Sequence, residues 1–102
     1  MQEVQVKSME EGNLTIALCG ELHSVNAEEF LNVVLSSYEN APCDVTFDCQ
    51  ELDFLDSTAL GTFVKIFKKL KADGKKLRLV HLQAKLKKLF VICSLDTIME
   101  IA

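Results

Sequence analysis

Hydrophobic and polar residues alternate in the first part of the chain as they do in a β-hairpin. Apolar side chains alternate with polar neighbours over residues 3–7, and large apolar side chains alternate with smaller residues over 14–19. A polar segment around Gly12 separates the two stretches. Alternation with a period of two is typical of half-buried strands, so the pattern predicts two antiparallel strands joined by a turn.

Three later segments carry apolar side chains at helical spacing instead. The first begins after Ser24 or Asn26, the two candidate N-caps, and stops before Pro42. The second begins at Ser57 and stops before Gly74, a residue type that commonly follows a helix. The third covers residues 86–93. The apolar stripes are Ala27, Phe30, Leu31, Val34, Leu35 and Tyr38 in the first helix; Leu60, Phe63, Val64, Phe67 and Leu70 in the second; and Leu86, Leu89, Phe90 and Cys93 in the third.

Short apolar segments over residues 44–48, 77–82 and 98–101 complete the pattern and are predicted to be strands. The order is β-β-α-β-α-β-α with a last short strand. Helices between successive strands imply parallel crossovers, so we expect an α/β fold with a mixed β-sheet, an N-terminal hairpin and flanking helices. A chain of 102 residues with 49% apolar composition can bury one core, which predicts a single domain over residues 1–102.

Charge is distributed unevenly along the chain. The net charge is −4, but residues 1–56 hold twelve acidic residues and one lysine, whereas residues 57–102 hold three acidic and ten basic residues. An acidic face and a basic face that steer a charged protein partner are one interpretation; ordinary solvated helix faces are the other. Nucleic-acid binding is not favoured, because the overall charge is negative and the lysines lack interleaved aromatic residues.

Other features narrow the class of protein. The four cysteines form no C-x-x-C pair, so no metal site is predicted and we expect them to pack as small apolar side chains. No apolar run approaches the roughly 20 residues that span a bilayer. The N-terminus lacks the basic start and apolar block of a signal peptide. These patterns predict a cytoplasmic protein without direct membrane insertion.

The most distinctive segment covers residues 52–61. It ends a strand-like stretch, turns through a loop with two carboxylates, Asp53 and Asp56, and opens a helix with Ser57 and Thr58. A hydroxyl at the first turn of a helix lies beside backbone N–H groups without intrahelical partners and at the positive end of the helix dipole. Such a position suits a phosphate, bound or covalently attached. The alternative is that Asp56 or Ser57 is simply an N-cap.

This segment resembles the signature of the STAS domain, found in anti-sigma-factor antagonists and in the cytoplasmic tails of sulfate transporters. The residues that carry the resemblance are Asp56, Ser57, Thr58, Leu60 and Gly61. A second resemblance is Gly20-Glu21-Leu22, which looks like the family's Gly-Asp/Glu-Leu turn, and a third is the spacing of residues 74–90.

The resemblance implies a function. In the antagonist branch, the serine after the aspartate is the regulatory phosphorylation site, which implies phosphorylation at Ser57, with Thr58 as the alternative acceptor. The implied partners are an anti-sigma factor with serine kinase activity and a serine phosphatase. The implied partner-binding residues are Gly20, Glu21, His23, Ser24, Asp53, Asp56, Ser57, Thr58, Leu60 and Gly61. No cofactor motif is present, and Ser57 has no His or Lys nearby in sequence to act as a base, so an enzyme is not predicted.

Two positions depart from the family pattern. Ala59 stands where the family usually has Gly, and its added methyl is a candidate obstacle to a kinase or partner. His23 stands where the antagonist branch commonly has Asp, and it can titrate near neutral pH or be an ordinary loop residue. Two other functions therefore remain open: a non-phosphorylated STAS subunit docked on a transporter ATPase, and a small-molecule or nucleotide sensor with the ligand phosphate at the start of the Ser57 helix.

Overall fold

The computed structural model describes residues 3–10, 12–40 and 42–101, with side chains from residue 12 onward. The strands are β1 (Glu3–Glu10), β2 (Asn13–Leu22), β3 (Asp44–Leu55), β4 (Leu77–Val80) and β5 (Glu100–Ile101). The helices are α1 (Ala27–Asn40), α2 (Ser57–Ala72) and α3 (Ala84–Ile92), and a 3₁₀ helix covers Leu95–Thr97.

The five strands form one mixed sheet in the order β1-β2-β3-β4-β5. β1 pairs antiparallel with β2, and each later strand pairs parallel with the one before it. The N-terminal hairpin, the mixed sheet and the α/β class predicted from the sequence are therefore confirmed. Each helix connects two neighbouring parallel strands.

All three helices pack on one face of the sheet. Phe47 of β3 lies 5.7 Å from Phe30 of α1 and 5.4 Å from Phe63 of α2, measured between ring centroids. Phe63 in turn lies 5.6 Å from Phe90 of α3. All four rings are fully buried. This aromatic cluster joins every helix to the central strand and explains why three separate apolar stripes form one core.

The opposite face of the sheet carries no helix and is polar. Thr15, Thr46, Arg78 and Glu100 lie side by side across β2 to β5 and are half-buried or exposed. The Thr46 hydroxyl donates to the Asn13 side chain at 3.1 Å, and that side chain donates to Thr15 at 3.0 Å. The polar positions of the alternating pattern therefore cover an open sheet face.

Strand β3 is longer than the sequence predicted. We expected it to end near Asp48 and placed Asp53 in a loop, but the strand continues to Leu55. It does so because β2 also continues to Leu22, so the predicted turn at Gly20-Glu21-Leu22 is strand as well. Two register irregularities, after Ala17 and after Gly20, accommodate this pairing, and Gly20 supplies the positive φ of 82° that the second one uses.

The C-terminal elements and two cysteines also differ from expectation. β4 stops at Val80 because His81 adopts a positive φ of 59°. Of the last strand predicted over residues 98–101, only the two residues of β5 are strand, and the 3₁₀ helix precedes them. Cys43 and Cys49 are buried as predicted, whereas Cys19 and Cys93 are exposed. Cys93 follows the last residue of α3 and so leaves the apolar stripe to which we had assigned it.

Helix α2 ends as its sequence predicts. The Gly74 N–H donates to the Lys71 carbonyl at 3.0 Å, and the Lys75 N–H reaches back to the Leu70 carbonyl at 2.8 Å. With a φ of 73° at Gly74, this is a Schellman motif. Over the ranges described, no helix combines the length and the apolar character needed to cross a bilayer.

Candidate functional site

Asp56 joins the carboxyl end of β3 to the start of α2. Its backbone N–H donates to the Leu22 carbonyl at 3.2 Å, which links the ends of β2 and β3. Its side-chain Oδ1 accepts from the Ala59 N–H at 2.9 Å. Asp56 is therefore the N-cap of α2, which is one of the alternatives predicted from the sequence, and Ser57 is the first helical residue.

The second carboxylate oxygen of Asp56 binds another segment of the chain. Oδ2 accepts from the Ser24 N–H at 3.0 Å, so the loop after β2 is held against the start of α2. Asn26 braces that loop, because its side chain accepts from the His23 N–H at 2.9 Å and donates to the Glu21 carbonyl at 2.8 Å. The two motifs that the sequence places 36 residues apart are thus joined through one carboxylate.

These contacts keep the Asp56 carboxyl ionised. The hydrogen bond from Ala59 lowers the pKa of Asp56, and the Ser24 N–H, the charge of His23 and the Thr58 N–H lower it further against a partial desolvation. Because both oxygens accept backbone hydrogen bonds, the negative charge is directed at its own helix and loop. Asp56 therefore joins the helix start to the loop and makes no hydrogen bond to the neighbouring Ser57 hydroxyl.

Ser57 presents its hydroxyl to solvent at the first turn of α2. Its side chain is exposed and takes part in no hydrogen bond within the described part of the chain. Thr58 is also exposed. Gly61 lies one turn after Ser57 on the same side of the helix, and a Cβ built there would have no heavy atom within 4 Å. The approach to the Ser57 hydroxyl is therefore open.

Ala59 and Leu60 lie on the inner side of the same turn. Ala59 is completely buried, and Leu60 is 7% exposed. The methyl group of Ala59 therefore faces the core and does not narrow the approach to Ser57, contrary to the concern raised by the departure from the family pattern. Leu60, expected as a contact residue, belongs to the core beneath the site.

Two exposed apolar side chains lie in the segments that Asp56 joins, and sequence analysis missed them. Val25 is 86% exposed in the loop that Asp56 holds, and Phe54 is 45% exposed near the end of β3. Phe54 pairs with Glu21 of β2, and Asp53 is exposed beside it. Two features of the sequence could have indicated this exposure: an isolated valine within a polar loop, and a phenylalanine between two carboxylates. Exposed large apolar residues clustered with charged ones are typical of a protein-binding surface.

We call this area the Ser57 surface. It comprises Glu21, His23, Ser24, Val25, Asp53, Phe54, Ser57, Thr58 and Gly61. A groove of about 450 Å³ between α1 and α2 adjoins it, and both Ser24 and Thr58 line that groove. The structure thus brings together the predicted residues of two segments, with three exceptions. Leu60 lies in the core, Gly20 contributes its positive φ to β2, and Asp56 is the N-cap that joins the two segments.

The one carboxylate–imidazole pair among the described residues lies elsewhere. His81 Nδ1 is 3.1 Å from Asp48 Oδ1, and this oxygen also accepts from the Gln50 N–H at 3.2 Å. Asp48 lies seven residues before the end of β3, which is roughly 20 Å along a strand. The pair therefore supplies no general base to Ser57.

A one-sided mixed sheet under three helices, with an exposed serine at the start of the second helix, is the architecture of a STAS domain. A family model described as the STAS domain matches residues 5–102, and the chain belongs to that family. The curated relatives that the chain matches are named anti-sigma-B factor antagonists.

Three matches illustrate the proteins to which the chain is similar. The chain is 30% identical over 92 residues to the anti-sigma-B factor antagonist of Bacillus subtilis, covering 90% of this chain and 84% of that protein. Its fold matches an anti-sigma factor antagonist from Mycobacterium paratuberculosis with a TM-score of 0.86 at 17% identity, covering 99% of this chain and 85% of the other. It also matches the Bacillus cell fate determinant SpoIIAA in its phosphorylated form, with a TM-score of 0.76 at 20% identity and coverages of 98% and 91%. At these identities, the two structural matches establish the fold.

Proposed function

We propose that this protein is an anti-sigma-factor antagonist whose Ser57 surface binds an anti-sigma factor with serine kinase activity. In this scheme the unphosphorylated protein captures the anti-sigma factor and so frees the sigma factor. The observation that carries the proposal is the free, exposed Ser57 hydroxyl at the start of α2, beside an Asp56 already engaged as N-cap. The sequence similarity to the Bacillus antagonist supports it.

Switching follows from transfer of the terminal phosphoryl group of ATP to Ser57. The Ser57 Oγ–P bond forms as the bond between the γ phosphorus and the oxygen that bridges it to the β phosphate breaks. The hydroxyl proton passes to a base of the kinase or to water, and ADP is released. A serine phosphatase reverses the modification by hydrolysing the phosphate ester. Because Ser57 is exposed at the positive end of the α2 dipole, the phosphorylated protein is expected to stay folded.

The phosphoryl group acts through charge. It adds about −1.5 to −2 charges next to the ionised Asp56, with exposed Asp53 and Glu21 on the same surface. A partner that fits a neutral hydroxyl then meets repulsion and an unpaired desolvated charge. A loss of about 2.7 kcal/mol of binding free energy weakens the complex a hundredfold, which is sufficient for a switch.

The apolar part of the surface supplies affinity in the unphosphorylated state. Val25 and Phe54 offer side chains whose burial by a partner removes apolar area from water. The acidic residues around them favour a partner with basic residues at its rim. The His23 imidazole lies at this rim, where its Nδ1 accepts from the Val25 N–H at 3.3 Å.

Intact-mass spectrometry tests the acceptor directly. The protein is incubated with ATP and a soluble extract of its source cells, in parallel with Ser57→Ala and Thr58→Ala variants. We expect a gain of one phosphoryl mass in the wild type and in Thr58→Ala, and none in Ser57→Ala. No gain in any form, in an extract that phosphorylates a known antagonist, would reject the switch and favour a constitutive docking subunit of a transporter ATPase.

A further inference from the structure

A second concave site lies far from Ser57, at the other end of α2. A pocket of about 470 Å³ opens between the last turns of α2, the start of β4 and the segment before β5. Its lining residues are Phe67, Lys71, Lys75, Lys76, Leu77, Thr97, Ile98 and Glu100. This volume lies within the range of about 300–1,000 Å³ that is typical of small-molecule sites.

Three ammonium groups surround the pocket. Lys71 comes from α2, and Lys75 and Lys76 come from the turn that follows it. None of the three is ion-paired to a carboxylate within residues 12–40 and 42–101. The acidic lining residue, Glu100, is neutralised by Arg78, with Nε 3.2 Å from Oε2. The lining therefore carries three positively charged side chains and one negatively charged side chain that is already ion-paired.

Apolar side chains form the rest of the pocket wall. Leu77 is buried, Phe67 is half-buried, and Ile98 is 45% exposed. The Lys71 ammonium group lies 5.8 Å from the centroid of the Phe67 ring, so charge and apolar surface are adjacent. Thr97 is the remaining polar lining residue, which leaves few side chains to hydrogen-bond the edges of a nucleobase.

The pocket is separate from the Ser57 surface. Lys71 lies fourteen residues after Ser57 in α2, a distance of roughly 20 Å along the helix axis. Ser57 follows the carboxyl end of β3, whereas the pocket adjoins the amino end of β4. A ligand in the pocket would leave the Ser57 surface uncovered.

We propose that this pocket binds a small amphipathic anion, with a carboxylate or phosphate head on the lysines and a single aliphatic chain on Phe67, Leu77 and Ile98. Both parts are required. The exposed lysines hold an isolated anion weakly because water competes for both charges. The apolar wall adds the burial of the chain, and the head fixes its direction.

Titrations monitored by backbone amide NMR shifts test the proposal on the full chain. The probes are octanoate and octyl phosphate, with inorganic phosphate, octanol and ATP as comparisons. We expect octanoate and octyl phosphate to cause saturable amide shifts over residues 67–77 and 97–100. Inorganic phosphate, octanol and ATP should cause no saturable shifts there. Saturation by inorganic phosphate or by octanol at similar affinity would overturn the amphipathic requirement.

Matched charge variants identify the binding groups. Lys71→Ala/Lys76→Ala should weaken octyl phosphate binding roughly tenfold. Lys68→Ala/Lys85→Ala removes the same charge from exposed positions outside the pocket and should leave the affinity unchanged. Equal losses in both variants would overturn the site, since they would show a general charge effect.

A lipid surface is distinguished by a separate measurement. Cosedimentation with phosphatidylglycerol vesicles should be negligible for the wild type. Vesicle binding without saturable octanoate or octyl phosphate binding would overturn the pocket and point to a membrane-surface role instead. Unchanged thermal melting of each variant establishes that the comparison is between folded proteins.

Discussion

Replacing Gly61 by alanine should separate folding stability from partner binding. Gly61 lies in the second turn of α2, is exposed, and has no heavy atom within 4 Å of a Cβ built on it. Because the φ angle is helical and the space is open, the substitution changes only helix propensity. Alanine is favoured over glycine by about 0.5–1 kcal/mol inside a helix. We expect the free energy of unfolding to rise by about that amount and Tm to rise by roughly 2–8 °C.

Gly74→Ala is the matched control. Its Cβ would also meet nothing within 4 Å, but Gly74 has a φ of 73°. The same added methyl should therefore destabilise the protein by about 1–2 kcal/mol. Urea unfolding of both variants gives the comparison, with an unchanged m-value showing that the unfolded state is the same. If Gly61→Ala lowered the free energy of unfolding, the predicted gain from helix propensity would be wrong, because the added methyl would have to meet a contact that the structure lacks.

The binding result should have the opposite sign. A partner seated against Ser57 must approach the helix surface one turn further along, where Gly61 leaves space. We expect Gly61→Ala to weaken binding of the anti-sigma factor while it stabilises the fold, and Gly74→Ala to leave binding of the folded protein unchanged. Unchanged binding by Gly61→Ala would place the interface elsewhere.

Three further predictions concern titratable groups. The pKa of Asp56 is lowered in the folded state, so the stability that its carboxylate contributes is present above the unfolded pKa of about 3.9 and is lost as the pH falls through the folded pKa. The difference in unfolding free energy between the wild type and Asp56→Asn should therefore shrink in urea melts at acid pH. A difference that stays constant with pH would contradict this prediction. Burial and the 2.7 Å hydrogen bond to Asp73 raise the pKa of Tyr38, the only tyrosine, to about 12, so tyrosinate absorbance should appear near that pH and not near 10 in the native protein. In the native protein, a thiol reagent should react with Cys19 and Cys93 only. The other two thiols should react after unfolding, since burial raises their pKa. Rapid reaction of all four thiols in the native protein would contradict this prediction. The two protected thiols are Cys43 and Cys49.

Elements with strong periodicity could be predicted from the sequence. The stripe of α2, its start at Ser57 and its end before Gly74 depend on local signals: helical spacing, a capping residue and a glycine with positive φ. The hairpin likewise depends on alternation and a turn. The order of the elements then leaves few topologies, because crossovers between parallel strands are short and right-handed.

Features that depend on distant pairing could not be predicted. β3 extends to Leu55 because β2 continues beside it with two irregularities, and no local pattern over residues 49–55 specifies this. The exposure of Cys93 depends on where α3 ends. A cysteine at helical spacing is indistinguishable in sequence from a core residue.

The candidate site shows the same division. Asp56, Ser57 and Thr58 could be placed at a helix start from their spacing. The hydrogen bond from Ser24 to Asp56, which holds the loop that contains Val25 against the start of α2, joins residues 32 apart and could not be predicted without the fold. The inward direction of the Ala59 methyl likewise required it.

The proposed phosphorylation switch is tested most directly by calorimetry with the anti-sigma factor from the same organism. Its affinity is measured for the unphosphorylated protein and for the protein phosphorylated at Ser57, each of verified mass. We expect the unphosphorylated protein to bind and the phosphorylated protein to bind at least a hundredfold more weakly. Equal affinity of the two forms would contradict it.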